Sequence, residues 1–202
     1  MLFFILAAVL VAAGQSAPLG HCDTLTQQLQ IQGRDQFLGR WTLAAASTNL
    51  QGIAALAMAL VDTVWLKSTP ANESDAFYVL QVQKTFGNCY STTSKMTLVN
   101  NTLATVQPLP ASGALLMTSC TDCMVTQSNY TIGGSPYREV LLLTRRAKVS
   151  TAEIEEFKRQ VACLNLPPAT VLDSDKGFCP DDLKNTADLT DPVSRWFERR
   201  RV

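Results

Sequence analysis

The sequence is poor in histidine and carries no net charge, and both shortages narrow the functions open to it. His21 is the only histidine, and 17 basic side chains balance 17 acidic ones. A neutral chain has no positive field for a phosphate backbone, so we expect no nucleic-acid partner. With one histidine near the N-terminus, we expect neither a Ser–His–Asp triad nor a zinc site. We therefore predict no enzyme activity, no metal and no cofactor.

Long apolar runs are also scarce. Past the N-terminus, none is long enough to cross a bilayer. Residues 2–13 are apolar and residues 14–17 are small or polar, the pattern of a secretory leader. We predict a signal peptide over 1–16, a secreted domain over 17–180 and a tail over 181–202. The basic residues that usually open a leader are missing, so an uncleaved anchor is the alternative. The arginine-rich end of the tail, 195–201, is either solvated or a contact for a membrane surface or heparin.

Cysteine is present in an even number, which in a secreted chain argues for disulfide bonds. The six cysteines are Cys22, Cys89, Cys120, Cys123, Cys163 and Cys179. The spacing of Cys120 and Cys123 fits half a zinc site or a redox pair. A second pair at zinc spacing is missing, and a redox motif should open a helix, whereas this one lies between strand patterns. A structural bridge is the favoured interpretation.

Three glycosylation sequons agree with secretion. They begin at Asn72, Asn100 and Asn129, each at or near a predicted turn or strand end, where a glycan can project into water.

Short alternating segments separated by turn residues predict an all-β domain. The predicted strands are Arg40–Ser47, Val61–Lys67, Phe77–Phe86, Ser91–Val99, Leu103–Val106, Leu115–Ser119, Met124–Tyr130 and Tyr137–Arg145. Turn signals lie between them, including 108–113 and Gly87-Asn88. Eight short strands of this kind form a closed antiparallel barrel or a sandwich.

One amphipathic helix follows the last long strand. Ser150 and Glu153 form a capping box, and an apolar stripe follows, made of Ile154, Phe157, Val161 and Leu164. Pro167 and Pro168 end the helix, and a short strand is predicted at Thr170–Leu172. Earlier in the chain, Ile53–Leu60 has helical spacing and no charge.

The order of these motifs resembles a lipocalin, and more narrowly the alpha-1-acid glycoprotein (orosomucoid) and apolipoprotein M branch. Fish tributyltin-binding and saxitoxin/tetrodotoxin-binding carriers are similar in the same way. The matching stretches are 37–41, with its Gly-x-Trp at Gly39 to Trp41, 61–64, 117–120, 137–145, and 155–164. The resemblance spans about residues 22–180.

The resemblance implies an eight-stranded up-and-down antiparallel barrel with the helix packed on its outside. It places Ile53–Leu60 in the large first loop over the open end, so we expect this segment to form part of a lid, with a helix packed permanently on the barrel wall as the alternative. It implies that Trp41 closes the floor of the barrel and that Arg145 lies across it in a cation–π contact. Gly39, the glycine of the motif, has a structural role. Read without the family, Trp41 is a core aromatic and Arg145 a surface base. It also implies disulfides from Cys22 to Cys163 and from Cys89 to Cys179, which leaves Cys120 to Cys123.

The family's strand phase implies which side chains face the barrel interior. On the last long strand these are Tyr137, Glu139, Leu141 and Leu143, and after Cys89 they are Thr92, Ser94, Met96 and Leu98. Trp65, Tyr78 and Met117 are further candidates. The predicted ligand-binding set is Trp65, Tyr78, Met96, Leu98, Met117, Tyr137, Glu139 and Leu141, and for each apolar member the alternative is a filled core.

Glu139 departs from family members that bind phosphorylated lipids, because those line the pocket with arginines. We expect instead a neutral or cationic ligand, with Glu139 seating a cationic or organometallic group beneath a hydrophobic body. The alternatives are that Glu139 pairs with Arg138 or Arg34, or faces solvent.

We therefore predict a secreted, monomeric glycoprotein that carries a small hydrophobic molecule. An immunomodulatory protein acting through protein contacts, or a lipocalin-type isomerase with a free thiol, is the alternative.

Overall fold

The computed structural model describes residues 19–51, 60–132, 134–184 and 186–190. The predicted signal peptide, nearly all of the predicted lid and the arginine-rich end of the tail lie outside these residues. The elements are α1 (Leu19–Leu25), β1 (Gly39–Thr48), β2 (Val61–Pro70), β3 (Ala76–Thr85), β4 (Asn88–Val99), β5 (Thr102–Thr105), β6 (Ala111–Leu116), β7 (Cys123–Ile132), β8 (Ser135–Thr144), α2 (Thr151–Cys163), β9 (Thr170–Val171) and β10 (Thr186–Asp188). Two 3-10 helices cover Arg34–Phe37 and Ser174–Lys176.

Strands β1 to β8 close into an antiparallel up-and-down barrel. Each strand pairs with the next along the chain, and β8 returns to pair with β1. The predicted fold class is therefore confirmed, and all eight predicted strands overlap observed ones. The alternation of side chains along each strand gives the barrel an interior and an exterior face.

The hairpin between β4 and β5 shows how local sequence sets this topology. Asn100 and Asn101 both have positive φ, 47° and 65°, as a two-residue turn between twisted strands requires. Asn101 then accepts a hydrogen bond from the Ile31 backbone at 2.6 Å and donates one to the Leu29 carbonyl at 3.1 Å. The turn therefore anchors the N-terminal segment across the closed end of the barrel.

Helix α2 packs on the outside of the barrel. The hydroxyl of Ser150 accepts from the Glu153 backbone, and the Glu153 carboxylate accepts from the Ser150 backbone, so the capping box is present. Phe157 and Val161 are buried against Val140 and Leu142, which face outward from β8. The apolar stripe of the helix thus covers one side of the barrel.

All six cysteines are paired, in the arrangement that the resemblance implied: Cys22–Cys163, Cys89–Cys179 and Cys120–Cys123. The third bridge lies beside Asp122 and Glu153, whose carboxylates both bind Arg146 at 2.8 Å. The side-chain atoms of Cys120, Asp122, Cys123 and Glu153 that could bind a metal ion lie within 4.8 Å of one another. Both sulfurs are bonded to each other, so this cluster is an ion-pair network around a bridge.

Three features of the structure were not predicted from the sequence. The segment around His21 is helical, because Cys22 fastens the seven residues of α1 to α2. Part of the tail forms β10, which runs parallel to β4 with Thr186 opposite Cys89. Strand β6 begins inside the predicted turn, where the crowding at Gly113 explains the glycine: a Cβ there would lie 2.5 Å from the Gln127 carbonyl.

Candidate ligand cavity

The barrel encloses a cavity of about 510 Å³, within the range of small-molecule pockets. Its lower part is apolar, with walls from β1, β2, β3, β4, β5, β7 and β8. The apolar lining comprises Phe37, Trp41, Leu66, Phe77, Val79, Met96, Leu103, Met124, Leu141 and Leu143. Phe37, from the 3-10 helix before β1, stacks on Phe77 with ring centres 5.2 Å apart. The interior is therefore open above an aromatic floor.

Trp41 and Arg145 seal the floor. The Arg145 guanidinium lies 3.6 Å from the centre of the Trp41 ring and donates to the carbonyls of Arg40 and Gln36 at 3.0 and 3.3 Å. The indole N–H of Trp41 donates to the Phe37 carbonyl at 2.8 Å. These bonds fix both planes of the cation–π contact, so the tryptophan contributes to the cavity wall while the arginine lies beneath it.

The middle of the cavity is lined by hydroxyl and amide groups. They come from Gln81, Thr92, Ser94, Thr126, Ser128 and Tyr130. Among the described residues that line the cavity, only Glu139 is charged. The site therefore combines an apolar floor with a polar middle that bears one acid.

Glu139 has no ion pair or hydrogen bond to its carboxylate within the described chain. Its neighbours across the strands are Thr48 on β1 and Ser128 on β7. The Thr48 hydroxyl is already engaged with the Arg138 carbonyl at 3.0 Å and lies 3.4 Å from the Tyr130 hydroxyl. None of the described residues neutralises the Glu139 carboxylate.

The two arginines proposed as partners of Glu139 are elsewhere. Arg34 donates to the carbonyls of Ala71, Glu73 and Ala76, at the closed end of the barrel. Arg138 is adjacent to Glu139 in β8, so its side chain points to the opposite face. Both pairings are therefore wrong, and Glu139 faces the cavity rather than bulk solvent.

Burial raises the pKa of Glu139 to about 7. Burial also raises the pKa of Tyr130 to about 12, and the nearby charge of Glu139 adds to this effect. Near neutral pH the tyrosine is thus a neutral hydrogen-bonding group, while the acid exchanges between its two forms. A cation in the cavity would favour the ionised form.

Five of the eight predicted ligand-binding residues lie in or next to the barrel interior. Met96, Glu139 and Leu141 line the cavity, and Tyr137 lies at its mouth, stacked on Tyr130 at 5.9 Å. Leu98 packs among the apolar side chains of the closed end. Contact of these residues with a ligand stays a prediction.

Three candidates do not reach the cavity. Trp65 points outward, is 1% exposed under the C-terminal segment, and donates to the Cys179 carbonyl at 2.9 Å. Tyr78 also points outward, is 43% exposed and lies beside Lys95. Met117 follows the end of β6, where its carbonyl accepts from Gln160 of α2. The strands of Trp65 and Tyr78 present the opposite phase, because Leu66 and Val79 take the inward positions.

Residues on β3 were missed although a signal for them was available. The short turn after β3 sets its register with β4, so that Phe77 lies opposite Met96 and Gln81 opposite Thr92. Residues opposite each other in an antiparallel pair share a face. The inward set on β4 would therefore have identified Phe77 and Gln81.

The three sequon asparagines are accessible. Asn72 lies in the loop after β2, Asn100 in the β4–β5 turn, and Asn129 near the end of β7, and all three are exposed. Glycosylation at these positions stays a prediction.

Comparison with known proteins identifies the fold. No family model matches the sequence, and no curated protein matches it. Solved structures that resemble this one include the siderocalin Ex-FABP, described as functioning through dual ligand specificities, and an odorant-binding protein. The first has a TM-score of 0.61 at 15% identity, covering 69% of this chain and 95% of its own. The second has a TM-score of 0.59 at 13% identity, covering 74% and 97%. The architecture is therefore that of the lipocalins.

Among the described helices, none has the length and apolar character needed to cross a membrane.

Proposed function

We propose that this protein is a secreted carrier that holds a small molecule inside its barrel, with an apolar body on the aromatic floor and a cationic group beside Glu139. The observation that supports this most directly is the Glu139 carboxylate on the cavity wall, which has no counter-ion and is the one charged group among the described lining residues. A buried charge costs free energy unless it is paired, and a cationic ligand would supply the partner.

The sequence led us to expect a cationic group beneath the hydrophobic body of the ligand, and the position of Glu139 reverses this order. The apolar floor lies at the closed end, and Glu139 lies nearer the mouth, opposite Thr48 at the end of β1. A cationic group therefore fits above the hydrophobic body rather than beneath it. An anionic lipid is disfavoured, because the described lining has no arginine or lysine to neutralise a phosphate.

Other features support a secreted carrier rather than an isomerase. Three disulfide bonds are typical of an oxidising compartment. Every cysteine is paired, so the barrel holds no free thiol as a nucleophile. The names of the structural neighbours, a siderocalin and an odorant-binding protein, denote small-molecule binders. Within the lipocalins, the motif order favours the orosomucoid and apolipoprotein M branch.

The test is the substitution Glu139→Gln, which keeps the shape of the side chain and removes its charge. Affinities would be measured by titration calorimetry for benzyltrimethylammonium and for its neutral analogue, in which carbon replaces nitrogen. We expect the variant to weaken binding of the cation at least tenfold, about 1.4 kcal/mol, and to leave the neutral compound within about twofold.

Glu155→Gln is the matched control, because it makes the same chemical change on the exposed face of α2, where Glu155 pairs with Lys158. It should leave both affinities unchanged. Equal losses for the two compounds in Glu139→Gln, or no loss for either, would contradict a cation site at this carboxylate.

A further inference from the structure

The barrel wall opens between β1 and β2 in its upper half. The two strands pair only from Gly39 to Thr42, opposite Ser68 to Trp65. Above that point β1 pairs with β9 instead, with Ala45 opposite Val171 and Ala46 opposite Thr170. Among the described strands, the upper part of β2 pairs with β3 alone. The segment after α2 therefore lies along the edge of β1 that β2 has left.

A side chamber of about 380 Å³ lies along this opening. Its walls come from β1, β2, β3, β8 and the segment after α2, and they are mainly apolar. Representative lining residues are Ala46, Val61, Val64, Gln83, Pro168 and Leu172. The segment is held in place by Ser47, whose hydroxyl donates to the Pro167 carbonyl at 2.6 Å, and by the Leu172 backbone, which donates to the Ala44 carbonyl at 2.9 Å.

The side chamber and the barrel cavity meet at Glu139. Four residues line both spaces: Leu50, Gln81, Glu139 and Leu141. Among the described lining residues of either space, Glu139 is the only charged one. The carboxylate thus stands where the polar middle of the barrel cavity meets the mainly apolar side chamber, and a group bound to it has apolar surface on both sides: the cavity floor and the chamber walls.

We infer that the ligand carries its positive charge between two apolar arms, one in the barrel cavity and the other in the side chamber. This inference rests on the proposed function and specifies its ligand class: secondary, tertiary or quaternary ammonium compounds substituted on both sides. A cation with a single arm fills one space and leaves the other to water. Each methylene that moves from water into the second space should tighten binding by about fourfold.

Two isomers test the inference with charge and composition held constant. Dibutyldimethylammonium has two apolar arms, and heptyltrimethylammonium has the same atoms in one arm. Titration calorimetry with the full secreted protein should show the two-armed isomer binding at least tenfold more tightly. Equal affinities, or tighter binding of the one-armed isomer, would overturn the inference.

Variants that fill one space at a time locate the second arm. Ala46→Leu adds bulk from β1 into the side chamber, and Gln83→Trp adds it from β3. Each should reduce the affinity of the two-armed isomer to that of the one-armed isomer, which should itself change less than twofold. Ser94→Leu adds bulk to the barrel cavity alone and should weaken both isomers. Two filling variants on different strands keep the test decisive if one of them fails to fold.

The outcomes separate this inference from the proposed function. The two isomers could bind with equal affinity, lose affinity in Glu139→Gln and be unaffected by the side-chamber variants. In that case the two-armed ligand is wrong and the cation carrier stands. If neither isomer binds, or binding is unchanged in Glu139→Gln, the proposed function itself fails.

Discussion

Gly39 occupies a backbone conformation that residues with a side chain rarely adopt. Its φ is +88°, and a Cβ at this position would lie 3.0 Å from Nη1 of Arg145. The same guanidinium lies over Trp41 and seals the floor of the cavity. The glycine of the Gly-x-Trp motif thus serves two needs, a positive φ and space for the arginine.

We expect Gly39→Ala to reduce the free energy of unfolding by about 2–3 kcal/mol, combining backbone strain with crowding against Arg145. Gly87→Ala is the control, because Gly87 also has a positive φ, +76°, but nothing lies within 4 Å of its would-be Cβ. That control should cost about 1 kcal/mol. Urea denaturation measures both, and equal losses would show that contact with the arginine contributes nothing.

Trp65 shows why strand phase was hard to infer for single residues. Its face of β2 is covered by Phe178, Cys179 and Leu183, so the outward side of the strand is as apolar as the inward side. Alternation is then lost, because both faces are buried. The implied bridge from Cys89 to Cys179 was the available clue, since it brings the C-terminal segment across this outer surface.

Helix α2 shows the opposite case, in which local signals were sufficient. Its start is specified by the side chains of Ser150 and Glu153, and its inner face by the spacing of Phe157 and Val161. These signals need no information from distant residues, so the helix was predicted within one residue at its start.

The Ser150 cap should contribute measurably to stability. We expect Ser150→Ala to lower the free energy of unfolding by about 1 kcal/mol, because the Glu153 backbone N–H loses its acceptor. Thr151→Ala, one residue along, removes an exposed hydroxyl and should change stability by less than about 0.5 kcal/mol. Denaturant titration of the two variants compares them, and a loss of equal size in both would indicate that the cap is not the cause.

Elements α1 and β10 escaped sequence-based prediction for a shared reason. Both are short, at seven and three residues, and each lies next to a disulfide that fastens it to the barrel or its helix. Tertiary anchoring rather than propensity stabilises such pieces. The eight barrel strands, by contrast, were predictable because turn residues bound them and alternation marks most of them.

At the scale of the whole molecule, Glu139 links folding to pH. Its pKa is 4.5 when unperturbed and about 7 in the folded protein. Between these values the folded state holds a proton that the unfolded state has released, so stability falls as the pH rises from about 4.5 through 7.

We therefore expect wild-type protein to lose stability relative to Glu139→Gln over this interval, by on the order of 1–3 kcal/mol, after allowance for water in the cavity. Unfolding free energies of both proteins at pH 4, 5.5, 7 and 8 measure the difference. Taking the difference cancels the carboxylates whose pKa is lowered by hydrogen bonds, such as Glu153 and Asp188. A constant difference across the series would show that Glu139 titrates normally.

The bridge from Cys22 to Cys163 spans 141 positions and turns almost the whole barrel into a covalent ring. A protease that cuts one hairpin tip, such as the exposed β4–β5 turn, opens the ring without releasing a fragment. The severed strands remain neighbours at high effective concentration, so their pairing and the cavity between them can persist. A molecule nicked at this turn would stay in one piece until both this bridge and the one from Cys89 to Cys179 are reduced.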